Sequence, residues 1–375
     1  MKKRILALAL GTMSVFAGMS TACGSGEKGI ILTNVERAKN VILMIGDGMG
    51  PEHIKAGKIK KGESLYMQRF PYKTTVETRS ISSEITDSAA GGTALATGVR
   101  TYNGRVGMDT YDEELTTIMD VAKSMGKRTG VISTEPITGA TPMSFLSHAL
   151  SRDDKATLVE GAAKSGVNLI ASETFDASYI AQFVENGYTQ LTDADMISDS
   201  TAEFIIGSYK IKADAEYGEN SINKLAFDRL LVEALDYLSE DEDGFVLMAE
   251  GAHIDHGGHN NNISYMLEEL LAFDNGIHAV LEWAKNRDDT VVIVTADHET
   301  GGLWLDKSAT ADTLFPGVRY QDNYYGWTTD YHTSTDVNLY INGADIDFAK
   351  YSFGSKKRIR NYEVFEIMKY LIGAE

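Results

Sequence analysis

Cysteine is almost absent from this 375-residue chain, and Cys23 is the only one. One thiol cannot pair within its own chain, so no intramolecular disulfide holds the fold, and any zinc site must use nitrogen and oxygen ligands. Positive charge is scarce too. The 35 Lys and Arg face 54 Asp and Glu, giving a formal net charge of −19 and a pI near 4.9. That balance argues against nucleic acid as a partner, because phosphate backbones are bound by basic patches. It leaves anionic small molecules open, since bound metal ions can make a small site locally positive. Internal repeats and low-complexity blocks are lacking, and no apolar run is long and continuous enough to read as a membrane span.

What is present is ordinary for a folded enzyme. Hydrophobic residues make up 43% and charged residues 24% of a chain long enough for one large α/β domain. Lys2, Lys3 and Arg4 precede an apolar run from Ile5 to Val15 and smaller residues to Ala22, which reads as an export signal over 1–22. Its removal takes the net charge to about −22. Cys23 after Ser20-Thr21-Ala22 suits a lipoprotein site, with a lipid anchor in an envelope membrane. Plain cleavage after Ala22, releasing the chain into the periplasm, is the alternative. Residues 23–38 are small and polar and read as a tether, and 39–375 read as one domain.

Short apolar or β-branched runs at 41–45, 129–133, 245–249 and 291–295 have the character of strands buried on both faces. Helical patterns at 115–125, 221–238 and 266–285 lie between them. The alternation predicts a three-layer α/β/α sandwich with a mainly parallel central sheet. The aromatic-rich stretch 303–332 reads either as a loop over a site or as a loop packed on the core.

Ligands of parallel sheets bind where strands end. Asp47 follows the first run, Thr134 and Thr141 follow the second, Glu250, Asp255 and His259 follow the third, and Asp297 and His298 follow the fourth. Any one of these could be a cap or a turn residue. Asp255 and His259 share a helical face, as metal ligands or as a solvated pair. Together they supply the N and O donors that zinc and magnesium select. Ser88, in Asp87-Ser88-Ala89-Ala90-Gly91-Gly92, suits the first turn of a helix, either as a cap or as a group facing an anion.

The strings IGDGMG (45–50), DSAAGGTALATG (87–98), EGAHIDHGGHNNN (250–262), TADHETGG (295–302) and DYHTSTD (330–336) resemble those of the alkaline phosphatases, over most of the chain beyond the leader. The resemblance implies Ser88 as a phosphorylated nucleophile. It implies Asp255, His259 and His332 as ligands of one zinc, and Asp47, Asp297 and His298 as ligands of a second. Asp47, Glu250 and Thr141 would hold a magnesium ion, and Arg152 would grip the phosphate. A guanidinium fork favours monoesters, which offer more free oxygens than diesters; an ion pair of Arg152 with Asp153 or Asp154 is the other reading. Two positions depart from the best-known bacterial pattern. Gly139 stands where an Asp lies near the third metal, and His256 stands where a Lys follows the zinc Asp. The implied substrates are small phosphate monoesters, and the family is often dimeric. Rivals are a two-metal hydrolase of diesters, sulfate esters or phosphonates, and a metal-binding envelope protein without catalysis.

Overall fold

Val41 to Ile45, Val291 to Val294 and Phe245 to Ala249 are buried without alternation. Strands of that kind need cover on both faces. The computed structural model describes residues 29–212, 225–314, 324–351 and 358–374. The leader, Cys23 and the tether as far as residue 28 lie outside the described residues.

Among the described residues, ten strands form one sheet. They are β1 (Asn40–Gly46), β2 (Tyr72–Glu77), β3 (Arg128–Pro136), β4 (Leu169–Glu173), β5 (Thr189–Leu191), β6 (Ile205–Tyr209), β7 (Phe245–Gly251), β8 (Thr290–Thr295), β9 (Val337–Asn342) and β10 (Ile359–Arg360). The order across the sheet is β10-β2-β9-β8-β1-β7-β3-β4-β6-β5. Of these ten, β9 alone runs against its neighbours. The four predicted strands are β1, β3, β7 and β8, the centre of the sheet.

Helices cover both faces. Pro51–Lys61 and Phe227–Leu238 both pack on Ile263–Ala284. Ser88–Thr97, Ile118–Ser124 and Tyr362–Leu371 pack on one another. Strand β3 touches Phe227–Leu238 from the first group and Ile118–Ser124 from the second, so the sheet lies between two helical layers.

Helix limits shift from the sequence pattern for local reasons. The helix expected over 115–125 begins at Ile118, because Thr117 and Asp120 form a reciprocal capping box. The one expected over 266–285 starts earlier, at Ile263, where the Asn262 side chain accepts from the Tyr265 N–H. The one expected over 221–238 begins at Phe227. Leu225–Ala226 pairs instead with Ile211–Lys212, and 221–224 lie outside the described residues. Residues 29–38, read as tether, pack on the body. Leu32 is buried and its N–H donates to Asn342 Oδ1 at 2.9 Å, while the Val35 N–H donates to the Gly343 carbonyl at 2.8 Å.

Candidate metal centre

Strand register builds the centre. Ile45 faces Glu250 on one side and Thr295 on the other, and Ser133 faces Glu250. The carboxyl ends of β7, β1 and β8 are therefore level, with Ser133 of β3 beside them, and the residues at or just past this level share one space. Gly48 turns the chain after Asp47 with φ +72°, and a Cβ there would come within 2.7 Å of Asp255 Cα.

The helix Ser88–Thr97 enters this space by its N-terminus. Asp87 caps it, Oδ1 accepting from the Ala90 N–H at 3.0 Å. Its small residues admit the ligand segments. A Cβ on Gly91 would lie 3.2 Å from Asp297 Cβ, and one on Gly92 3.2 Å from Thr141 Cα.

Asp47, Asp297 and His298 bring ligand atoms within 4.8 Å of one another, and so do Asp255, His259 and His332. In the first set, His298 Nε2 lies 3.2 Å from Asp297 Oδ2, 3.5 Å from Asp47 Oδ1 and 3.1 Å from Ser88 Oγ. One ring nitrogen carries at most one proton and cannot satisfy three oxygens. Among the described residues, Asp47 Oδ1, Asp297 Oδ2 and Glu250 Oε1 are buried and find no hydrogen-bond partner. Buried carboxylate oxygens left bare are costly, and a divalent cation removes the cost.

In the second set, His259 Nδ1 contacts the Asp330 carbonyl at 2.7 Å and His332 Nδ1 contacts the Thr86 carbonyl at 2.8 Å. A carbonyl only accepts, so both Nδ1 atoms carry hydrogen. The two Nε2 atoms then face each other at 3.2 Å, with Asp255 3.3 Å from one and 3.7 Å from the other. Outer nitrogens tied to carbonyls, with inner nitrogens converging, are how histidine is oriented for a metal. Both sets therefore fit divalent metal ions.

The electrostatics agree. Burial, then the charge of Asp297, pushes the Asp47 carboxyl well above its usual range. Burial, then Asp255, raises Asp297 to about 6. Burial, then Glu135, raises Glu250 well above its usual value. Burial also lowers His298 and His332 to about 4. Burial opposes ionisation of Asp255 as well, but the hydrogen bond from His259 and the surrounding imidazoles outweigh it and hold that carboxyl low. The same bond raises His259 to about 9, so a proton stands there when no metal does.

The alkaline phosphatase family model matches residues 38–182 and 154–315. The chain belongs to that family. Alkaline phosphatase 4 of Bacillus subtilis is 31% identical over 335 residues, 81% of this chain and 71% of that protein. The alkaline phosphatase of the Antarctic bacterium TAB5 is 28% identical and superposes with a TM-score of 0.77, over 91% of this chain and 100% of that one. A variant of the TAB5 enzyme, with a TM-score of 0.76, has Mg bound in a site termed M3. As a member of the alkaline phosphatase family this chain is a metal-binding hydrolase.

In this family member, the Thr141 hydroxyl donates to Asp47 Oδ2 at 3.4 Å, and Ser133 donates to Glu250 Oε2. Arg152 pairs with neither Asp153 nor Asp154. Its Nη1 donates to Asp87 Oδ2 at 3.3 Å, which sets the guanidinium next to the residue preceding Ser88. His256 is exposed, its ring against that of His253.

Three partners escaped the sequence reading. Asp87 caps the helix of Ser88 and also anchors Arg152 and the Gly104 N–H. Thr300 donates to Asp255 and lies 3.2 Å from His298 Nδ1, linking the two sets. Ser133 stands opposite Glu250 in the register of the sheet. A hydroxyl or carboxylate that holds another side chain has no spacing to betray it. The aromatic stretch divides. Tyr331 stacks on His332 at 4.8 Å, Trp327 packs 5.8 Å from His53, Trp304 is exposed, and 315–323 lie outside the described residues. Asp87→Ala is expected to cost about 1 kcal/mol of stability through the lost cap, measured by urea unfolding. It should also raise KM for phosphate substrates several-fold by freeing Arg152.

Proposed function

We propose that this chain hydrolyses phosphate monoesters through a phosphoserine on Ser88. The observation that carries the reading is the placing of Ser88 Oγ, 3.1 Å from His298 Nε2, at the edge of a set whose buried carboxylate oxygens lack partners. Asp255, His259 and His332 would hold one zinc ion, and Asp47, Asp297 and His298 a second. Asp47, Glu250 and Thr141 would hold magnesium, since oxygen donors suit a hard cation. When bound, these ions supply Lewis acidity that favours the ionised serine and water and the departing alkoxide.

Ser88 Oγ loses its proton and attacks phosphorus. The new Oγ–P bond forms as the ester P–O bond breaks, and the alcohol leaves after taking up a proton. Water then attacks the phosphoserine on the opposite face. The Oγ–P bond breaks, Ser88 recovers a proton, and inorganic phosphate departs. Arg152 holds two non-bridging oxygens of the phosphoryl group in its fork, oriented by Asp87. His298 also touches Ser88, but an imidazole lowered to about 4 is a weak general base.

Turnover of an aryl phosphate monoester and of its diester analogue tests the reading. The monoester is expected to win by at least about 100-fold in kcat/KM, and Arg152→Ala should lose more monoester than diester activity. A wild-type protein that prefers the diester would overturn the assignment.

A further inference from the structure

The carboxylate of Glu135, four residues upstream of Gly139, occupies the space that Gly139 leaves by having no side chain. Strand β3 breaks register against β4 between Ser133 and Pro136. Bulges of this kind re-aim a side chain, often beside an active site. The residue re-aimed is Glu135. A Cβ built on Gly139 would overlap Glu135 Oε1, so this carboxylate fills the space that a side chain at 139 would take. The Gly139 φ is −57°, so glycine is not required there by the backbone.

Glu135 is tied to the ligand set. Its N–H donates to Ser133 Oγ at 3.1 Å, and the same hydroxyl donates to Glu250 Oε2. The other oxygen of Glu250, Oε1, is fully buried and finds no hydrogen-bond partner among the described residues. Among the described residues the Glu135 carboxylate itself takes no hydrogen bond or ion pair. Yet its charge bears on Glu250, where it ranks next to burial, and on Asp47. Carboxylates whose charges bear on one another, with a bare buried oxygen among them, repel unless a cation joins them.

We propose that Glu135 is a carboxylate of the third metal site, completing with Asp47, Glu250 and Thr141 an oxygen-only shell for magnesium in place of a side chain at Gly139. The inference rests on the third site of the proposed function. It adds that the shell is rebuilt from a neighbouring position, so that Glu135 and Gly139 form a matched pair. A larger residue at 139 would meet Glu135, and a smaller one at 135 would leave the shell open.

The test is magnesium titration of zinc-loaded protein by calorimetry, with metal content measured by mass spectrometry. Glu135→Gln is expected to weaken magnesium binding at least about tenfold while both zinc ions are retained. Gly139→Asp alone should bind magnesium more weakly than wild type, because the two side chains collide. Glu135→Ala combined with Gly139→Asp should regain affinity over Glu135→Ala. Wild-type magnesium affinity in Glu135→Gln overturns this inference and leaves the third site standing. A Glu135→Gln protein with unchanged magnesium affinity but weaker inhibition by inorganic phosphate also overturns it, placing Glu135 with Arg152 instead. Wild-type protein that takes up no magnesium overturns the third site and the inference together.

Discussion

Ser88→Ala is expected to lower monoester turnover by about 1,000-fold or more, with metal content unchanged. Ser88 is 5% exposed, and its Oγ contacts His298 rather than the core. Alanine is the best helix former, and the cap belongs to Asp87, so the variant should unfold within about 1 kcal/mol of wild type. The residual rate would come from direct attack of water on a phosphoryl group still held by Arg152. Acid quenching with labelled substrate should trap phosphoprotein in the wild type and none in the variant. A variant that keeps more than a tenth of the activity would remove Ser88 from the mechanism.

Stripping the metals is expected to abolish activity and to make stability fall steeply with pH above neutrality. The sign follows from which state holds the proton. Above pH 6.5 an unfolded histidine is neutral, so His298 and His332, lowered to about 4, no longer add a pH dependence. Asp47 and Glu250 remain raised, Glu135 is raised by burial to about 7, and His259 stays protonated to about 9. Each of these shifts makes the folded metal-free chain hold a proton more tightly than the unfolded chain does, so stability is lost as pH rises. The melting temperature of chelated protein should drop by roughly 5 °C or more between pH 6.5 and 9. Bound cations take the place of those protons, so metal-loaded protein should show little of this slope. A flat profile after chelation would mean that the carboxylates are not crowded as the structure places them. Loss of less than half the activity on complete zinc removal would sink the metal-dependent mechanism.

The central strands were legible because burial on both faces leaves a continuous apolar run, as at 41–45 and 291–295. Their polar flanks were legible for the same reason, since Asp47 and Asp297 stand where apolar runs stop. Strand β9 was not read, although its neighbour β8 was, because the mixed pattern Val337-Asn338-Leu339-Tyr340 gives no parallel-strand cue. Nor could the sequence show that Asp87 meets Arg152 across 65 positions, or that a register break turns Glu135 toward Gly139. Both depend on where loops return in space, which local periodicity does not encode.

The ligand sets draw on remote parts of the chain. Ser88 meets His298 across 210 positions, and the His332 ring is hung from Thr86 across 246. An ion held between such segments closes loops of that length, the circumstance in which a cross-link removes most entropy from the unfolded chain. In a protein with one cysteine, the metals would act as releasable staples. Complete unfolding would then have to wait for an ion to depart, so the lifetime of the loaded enzyme in a protease-rich setting would follow the metal's dissociation rate more closely than the equilibrium stability of the fold.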